Sequence, residues 1–368
     1  MVAIVGFCRS VPFPIMGFLN GPLIDRFGRR SIMLAAQTTN LLTYVAISAL
    51  LWSGHLALWH LMFSAMILGI CWALDWPARR ALMPDLVGKE RTVDAMLLEN
   101  MAQNVARIGG PALAGWLIAA YGPRGCFTVM AILSLFTLAM LRTLSQQPIP
   151  RVNMRPQLSP WTIIGETLRY ARHSQAILGV LLITAVMNIF IFPYMTLLSV
   201  FARDVLQQGP VGLGILGTGS GIGAFLGLYL INRLRQRISP GWIFIIGTCF
   251  MCLMLTAFAL STIFTLSWSL LFLMGIGQAC FGSMQSSIII LSSSDEMRSR
   301  AMGTLVLAIS ADPLGKLQTG FLADQVGVQN AVAAQATMGL LVIGTIALFL
   351  PGLRSQTTAA SIPVAADD

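Results

Sequence analysis

Charged side chains inside apolar runs are the residues of this sequence best suited to chemistry. Asp312 and Lys316 are four residues apart in the apolar run 299–323, so a helix there places both on one face. Such a pair can neutralise itself and lower the cost of burial. A carboxylate in a dry site can also take up and release a proton. The sequence is compatible with both roles, an inert structural pair and a proton-coupling or substrate-binding pair.

A second polar group lies in the apolar run 94–120, where four side chains recur at helical spacing and share one face. These are Asn100, Gln103, Asn104 and Arg107. An unpaired charge near mid-span costs about 2.5 kcal/mol or more. We therefore expect Arg107 to pair with another helix or to line a cavity that holds water or substrate. Glu99 and Asp75 are rival proton carriers, expected near the membrane surface where water reaches them.

Two other motifs predict no cofactor and no metal. Cys249 and Cys252 form a C-x-x-C inside an apolar run, without the second pair that a metal site needs. The run 212–217 fits G-x-G-x-x-G, but a dinucleotide site requires a preceding strand. Here the glycines open an apolar segment, where they are typical of helix–helix packing.

The elements that position these residues must be membrane helices. Only 10% of the 368 residues are charged and 56% are apolar, whereas soluble domains carry about 25% charged residues. The mean hydropathy is +0.77, which excludes a soluble enzyme and a disordered chain. We expect an all-α polytopic membrane protein of about eleven spans. They are placed at 1–22, 31–52, 56–75, 94–120, 125–144, 174–200, 210–231, 242–262, 266–291, 299–323 and 331–351.

Lysine and arginine predict the orientation of these spans. Of the 23 residues of these types, 18 fall in one alternate set of loops and in the C-terminal tail. The positive-inside rule places that side in the cytoplasm, and the C-terminus with it. The net charge of +9 is then a topology signal, and no nucleic-acid partner is needed to explain it.

An internal repeat divides the chain into two halves. The run 66–73 resembles 272–279 at an offset of 206, Arg26 matches Arg233 at 207, and the glycines at 115 and 122 match those at 320 and 327 at 205. We expect a bundle at 1–144, a cytoplasmic linker at 145–173, a second bundle at 174–351 and a cytoplasmic tail at 352–368. Span 174–200 has no counterpart in the first half.

Three motifs carry a family resemblance. The run 21–30 reads GPLIDRFGRR, similar to the loop signature between helices two and three of the major facilitator superfamily. The run 110–115 reads GPALAG and resembles its antiporter signature in helix five, with Ala114 in place of a glycine. The run 75–87, DWPARRALMPDLV, resembles the enterobactin-exporter and macrolide-efflux branch. The chain is therefore similar to this superfamily, with two pseudo-symmetric bundles and without the first helix.

The resemblance implies a conformational latch and a helix-packing motif. Asp25 would cap the helix that begins near Ser299 and pair with Arg79 or Arg80, although the arginines also suit simple positive-inside anchoring. The latch residues are Gly21, Asp25, Arg26, Gly28, Arg29, Arg30, Arg79 and Arg80. The packing motif comprises Gly110, Pro111 and Gly115.

The resemblance also implies a substrate cavity lined by helices four, seven and ten, to which we add the polar stripe of residues 100–107. Any of these side chains could instead face lipid or the core. The candidates are Trp72, Asp75, Asn100, Asn104, Arg107, Asn188, Tyr194, Gln278, Phe281 and Gln285. Proton coupling would fall to Asp312, Lys316 or Glu99.

The expected function is secondary-active export of a siderophore-like or drug-like small molecule by alternating access, coupled to protons. We expect a monomer in the cell inner membrane and no enzymatic activity. The alternative is a transport-inactive remnant, or a chain whose start was misassigned, because the first helix of the superfamily helps to line the cavity.

Overall fold

The computed structural model describes residues 1–88, 91–143, 174–292, 305 and 308–354, and its regular elements there are all helices. The helices are α1 (Val2–Ser10), α2 (Pro12–Phe27), α3 (Arg29–Ser53), α4 (Leu58–Val87), α5 (Thr92–Thr143), α6 (Gln175–Val186), α7 (Tyr194–Val200), α8 (Pro210–Leu234), α9 (Pro240–Leu260), α10 (Phe264–Leu291), α11 (Asp312–Val326) and α12 (Val328–Phe349). Two π-helical segments, Met187–Ile191 and Phe201–Val205, flank α7. The all-α membrane fold is confirmed.

Within the described part of the chain, eight helical stretches are long and apolar enough to cross a membrane. One of them, Met101–Thr143, has 43 residues. At about 1.5 Å per residue it is roughly twice as long as the ~30 Å hydrocarbon core is thick. It therefore accounts for two crossings, and the eight stretches cover nine of the eleven predicted spans.

The two remaining predicted spans differ from the structure, and proline explains both differences. The span predicted at 1–22 consists of two helices, α1 and α2, which meet at Val11. Pro12 is the first residue of α2, and α2 ends at Phe27. The span predicted at 299–323 is not one helix either, because α11 begins at Asp312 with Pro313 in its first turn. Proline lacks the N–H that a continuous helix would need there. Residues 293–304 lie outside the described part.

Two glycines mark equivalent bends in the two halves. Gly122, between the crossings of α5, has φ 68° and ψ −177°. Gly327, between α11 and α12, has φ 83° and ψ 159°. Side-chain-bearing residues rarely adopt this conformation. The two positions are those that the repeat pairs at an offset of 205, so the backbone agrees with the predicted pseudo-symmetry.

The two bundles touch along two seams, α5 against α8 and α1 against α11. A Cβ atom added at Gly115 of α5 would lie 2.4 Å from the Pro210 carbonyl oxygen of α8. One added at Gly320 of α11 would lie 2.4 Å from the Cβ of Ala3 in α1. The repeat relates Gly115 to Gly320 and the start of α8 to the start of α1. The seams are therefore pseudo-equivalent, and both depend on close backbone approach.

The packing motif does not act as a unit. Gly115 is buried in the seam and Pro111 packs on Gly217 of α8, but a Cβ added at Gly110 would meet no heavy atom of the described residues within 4 Å. The prediction that all three residues pack helices is therefore wrong for Gly110, because that residue points away from α8.

This contrast yields a test within one motif. Gly115→Ala forces a methyl group against the α8 backbone, and we expect destabilisation of about 1–3 kcal/mol from overpacking. Gly110→Ala places the same methyl group in open space, and we expect no loss of stability. The measurement is the thermal unfolding midpoint of each purified variant in detergent. Equal midpoints for the two variants would contradict the seam.

Candidate functional site

The polar stripe of α5 continues the line of its seam. Ile108, Pro111 and Gly115 contact α8 at Gly221, Gly217 and Gly214. These α5 positions are three and four residues apart and lie on one helical face. Toward the N-terminus of α5, the next side chains on this face are Arg107 and Asn104. They therefore face the second bundle on the N-terminal side of the seam, where Arg107 is exposed and Asn104 half-buried.

The same geometry applies to α1 and α2. Gly6 of α1 approaches Thr196 of α7, and Ser10 contacts Lys316 of α11. Beyond the break at Val11, the ring of Phe13 stacks on Trp72 of α4 with a centroid distance of 5.1 Å. Trp72 is 51% exposed. An aromatic surface therefore follows directly after this seam.

The charged pair of α11 reaches across the seam. Lys316 Nζ lies 2.7 Å from Asp312 Oδ2 and donates a hydrogen bond to Ser10 Oγ at 2.6 Å. Both charged side chains are about four-fifths buried, with side-chain exposures of 19% and 21%. Asp312 lies in the first turn of α11, where the helix dipole favours a negative charge. The ion pair predicted from spacing is present, and it connects the two bundles.

Ser10 is a residue that sequence reasoning missed. Its hydroxyl donates to the Gly6 carbonyl oxygen at 3.2 Å and accepts from Lys316. A single serine in an apolar run carries no signal by itself. The repeat could have identified it, because an offset of 207 pairs Ser10 with Gly217, which packs on Pro111 at the other seam.

A second charge cluster lies inside the first bundle. The carboxylate of Glu99 in α5 forms ion pairs with two arginines of α4. Its oxygens lie 3.5 Å from Arg79 Nε and 3.4 Å from Arg80 Nε. Asp75 lies 3.9 Å from Arg79 and accepts a hydrogen bond from Gln37 of α3 at 3.2 Å. The expectation that Asp75 and Glu99 would be near water is wrong, because both carboxylates are buried. These partners compensate the cost of burying them.

Part of the predicted latch lies within the described residues. Arg30 donates to the Arg142 carbonyl oxygen and so joins the start of α3 to the end of α5. Arg26 lies over the ring of Phe27, and Gly28 supplies the positive φ between α2 and α3, next to the half-buried Arg29. The surroundings of Gly21, the side chain of Asp25 and the region of Ser299 lie outside the described part. The partner observed for Arg79 and Arg80 is Glu99.

Four cavity candidates lie instead in the core of the second bundle. Asn188 is buried and donates to the Thr184 carbonyl oxygen, while Gln285 donates to the Thr184 hydroxyl at 2.5 Å. Tyr194 is 3% exposed. Phe281 is 5% exposed and contacts the rings of Phe192 and Phe244. Tight packing and local hydrogen bonds explain why these apolar-span residues do not face an open surface.

Three candidates keep features suited to a ligand. Trp72 and Arg107 are exposed, and the side-chain oxygen of Gln278 is buried without a hydrogen-bond partner among the described residues. A buried polar atom without a partner costs about 1–3 kcal/mol, which a ligand donor would offset. The side chain of Asn100 lies outside the described part.

The comparisons with known proteins bear on this arrangement. A family model described as transmembrane secretion effector matches residues 1–366. The chain belongs to this family of major facilitator transporters. Membership in the transmembrane secretion effector family agrees with the multi-pass helical fold and with the pseudo-symmetric seams.

Curated relatives of this family member are membrane transporters. The enterobactin exporter EntS of Salmonella choleraesuis is 23% identical over 348 residues, which is 91% of this chain and 80% of that protein. Macrolide efflux protein A of Streptococcus pyogenes is 23% identical over 350 residues, 92% of this chain and 84% of that protein. The staphyloferrin A transporter of Staphylococcus aureus is 24% identical over 239 residues, 64% of this chain and only 59% of that protein.

Solved structures show the same fold. The nucleoside transporter NupG superimposes with a TM-score of 0.74 at 13% identity, covering 94% of this chain and 90% of that chain. The inward-open xylose transporter XylE of E. coli superimposes with a TM-score of 0.70 at 17% identity, covering 95% and 86%.

The buried cluster at Glu99 gives a second test. Glu99→Gln removes the charge that both α4 arginines contact, and we expect a loss of roughly 1–3 kcal/mol, reduced because the arginines are partly exposed. The control is Asp204→Asn, which breaks the exposed pair with Arg203 and is expected to leave stability nearly unchanged, because water screens an exposed pair. Thermal unfolding of both variants checks this. Equal losses would show that the Glu99 cluster contributes no more than a surface pair.

Proposed function

We propose that the protein is a secondary-active exporter of an organic small molecule, working by alternating access between the two bundles. The observation that carries this proposal is the pair of pseudo-equivalent seams. Their close contacts at Gly115 and Gly320 each lie seven residues before the bends at Gly122 and Gly327. The exposed polar stripe and Trp72 lie beyond the seams. Alternating access requires contacts between the bundles that close one end of the interface at a time.

We propose that the seam end lies outside the cell. The positive-inside bias places the loops that hold 18 of the 23 cationic residues in the cytoplasm, together with the C-terminus. In that orientation the seams close the extracellular side of the interface, which is the side that must be closed while an exporter loads substrate from the cytoplasm. We also propose that the bundles span 1–144 and 174–351, with a linker at 145–173 and a tail at 352–368. The protein would be a monomer in the inner membrane.

We propose Asp312 as the carboxylate that couples transport to inward proton flow. It has one cationic partner, Lys316, and that partner also holds Ser10 of the other bundle. Protonation of Asp312 removes the charge that positions Lys316, and it thereby weakens a contact that closes the seam. Glu99 is less suited, because two arginines from the same bundle hold it. An inert structural role for the pair is the alternative.

Transport in inverted membrane vesicles tests both parts. A radiolabelled macrolide and radiolabelled enterobactin serve as probes, and acidification of the vesicle interior is expected to drive uptake of at least one of them. A protonophore should abolish this uptake. If neither probe moves, the alternative of a transport-inactive protein gains support and the export proposal fails for these two substrate types.

The role of Asp312 is tested by Asp312→Asn. We expect at least a tenfold loss of gradient-driven uptake, since the amide cannot carry a proton, with substrate exchange at equal pH retained. Asp324→Asn is the matched control, because Asp324 is exposed on the same helix. Unchanged gradient dependence in Asp312→Asn would assign the pair to structure.

A further inference from the structure

We infer that the surface between the bundles takes an organic anion, preferably an aromatic one, and that Arg107 is the side chain that binds its charge. This inference rests on the proposed transport function and specifies its substrate class. The charged residues inside the predicted spans support it.

Away from their ends, the predicted spans hold three cationic side chains, and only one of these is neutralised by the described residues. Lys316 pairs with Asp312. Arg9 and Arg107 form no salt bridge within the described ranges, and both side chains are exposed. Asp75 and Glu99 of the same bundle are already engaged, since they contact Arg79 and Arg80. Among the described residues, Arg107 therefore has no carboxylate that neutralises it.

Arg107 faces the second bundle. It precedes Pro111 by four residues on the face of α5 that packs against α8, and a Cβ added at Gly221 of α8 would lie 3.3 Å from the Arg107 carbonyl oxygen. An exposed guanidinium at this depth would cost at least about 2.5 kcal/mol if it faced lipid. Arg107 thus faces a surface suited to water or a ligand, and no carboxylate of the described residues pairs with it.

An aromatic surface lies on the same bundle. Phe13 stacks on Trp72, and Trp72 lies 6.5 Å from Trp76 in a stacked arrangement. Arg80 covers the far end of this series, 4.3 Å from the Trp76 centroid. Trp72, in the middle, remains about half exposed. A planar ring can stack on the exposed face of Trp72, and a carboxylate can pair with Arg107, since guanidinium binds carboxylate with two parallel hydrogen bonds.

Electrostatic repulsion of cationic ligands also favours an anionic ligand at this surface. A cationic ligand on this surface would meet Arg107, and of the described carboxylates Asp75, Glu99 and Asp312 would each first have to leave an ion pair. Discrimination against cations therefore comes from the charge arrangement itself, as specificity often does. A neutral ligand would gain only the stacking on Trp72.

Three probes with the same ring test the inference by equilibrium binding to the purified full chain. They are 2-naphthoate, 2-naphthamide and (2-naphthylmethyl)trimethylammonium, with charges of −1, 0 and +1. Quenching of tryptophan fluorescence reports binding. We expect 2-naphthoate to bind at least tenfold more tightly than the ammonium probe, with the amide between them, and we expect added salt to reduce the difference.

Variants then assign the charge. Arg107→Gln should weaken 2-naphthoate binding about tenfold, equivalent to about 1.4 kcal/mol, and leave the amide unchanged. Arg107→Lys should retain most of the preference, which also covers the case in which Arg107→Gln fails to fold. Arg124→Gln is the control, because Arg124 is exposed on the same helix beyond the Gly122 bend and lies over Trp52.

The outcomes separate this inference from the export proposal. Equal or tighter binding of the ammonium probe, binding of none of the three, or an unchanged preference in Arg107→Gln would each overturn the anion site. None of these measurements needs a proton gradient. A protein that binds the anion but moves nothing in vesicles would keep the site and lose the export function, and the reverse result would do the opposite.

Discussion

Close backbone contact between helices of different bundles is the constraint on which the rest of the structure depends. Lipid removes most of the hydrophobic driving force between membrane helices, so association rests on packing and on a few polar contacts. At Gly115 and Gly320 the facing helix leaves no room for a side chain. The depth at which these contacts stop determines which side chains face the space between the bundles.

The two seams share their geometry but differ in chemistry at one position. Where one seam places Pro111 against Gly217, the other places Lys316 against Ser10. The repeat pairs Pro111 with Lys316 and Ser10 with Gly217. One seam is therefore held by van der Waals contact alone at this level, whereas the other includes a charge-assisted hydrogen bond. Pseudo-symmetry supplies the matching shape, and its local departure supplies a polar contact that can respond to charge.

Sequence reasoning predicted the elements well and their orientations poorly. Spans follow from apolar length, and the Asp312–Lys316 pair follows from a spacing of four residues. The burial of Tyr194 and Phe281 does not follow, since a helix that is apolar all round gives no periodicity to show which face meets protein and which meets lipid. Asp75 and Glu99 were misplaced for a different reason. Glu99 is held by two arginines of α4, and Asp75 accepts a hydrogen bond from Gln37 of α3, and no local pattern reveals these contacts between helices.

The distribution of charge between the two sites suggests how they cooperate. Arg107 and Asp312 are equivalent positions of the repeat, at an offset of 205, and they carry opposite charges. Asp312 already has a cationic partner within hydrogen-bond distance, whereas Arg107 has no carboxylate partner among the described residues. The repeat thus places a satisfied charge at the polar seam and an unsatisfied one beside the apolar seam. An anion at Arg107 would neutralise the second without disturbing the first, so in the proposed mechanism substrate binding and proton binding would act on different seams of one interface.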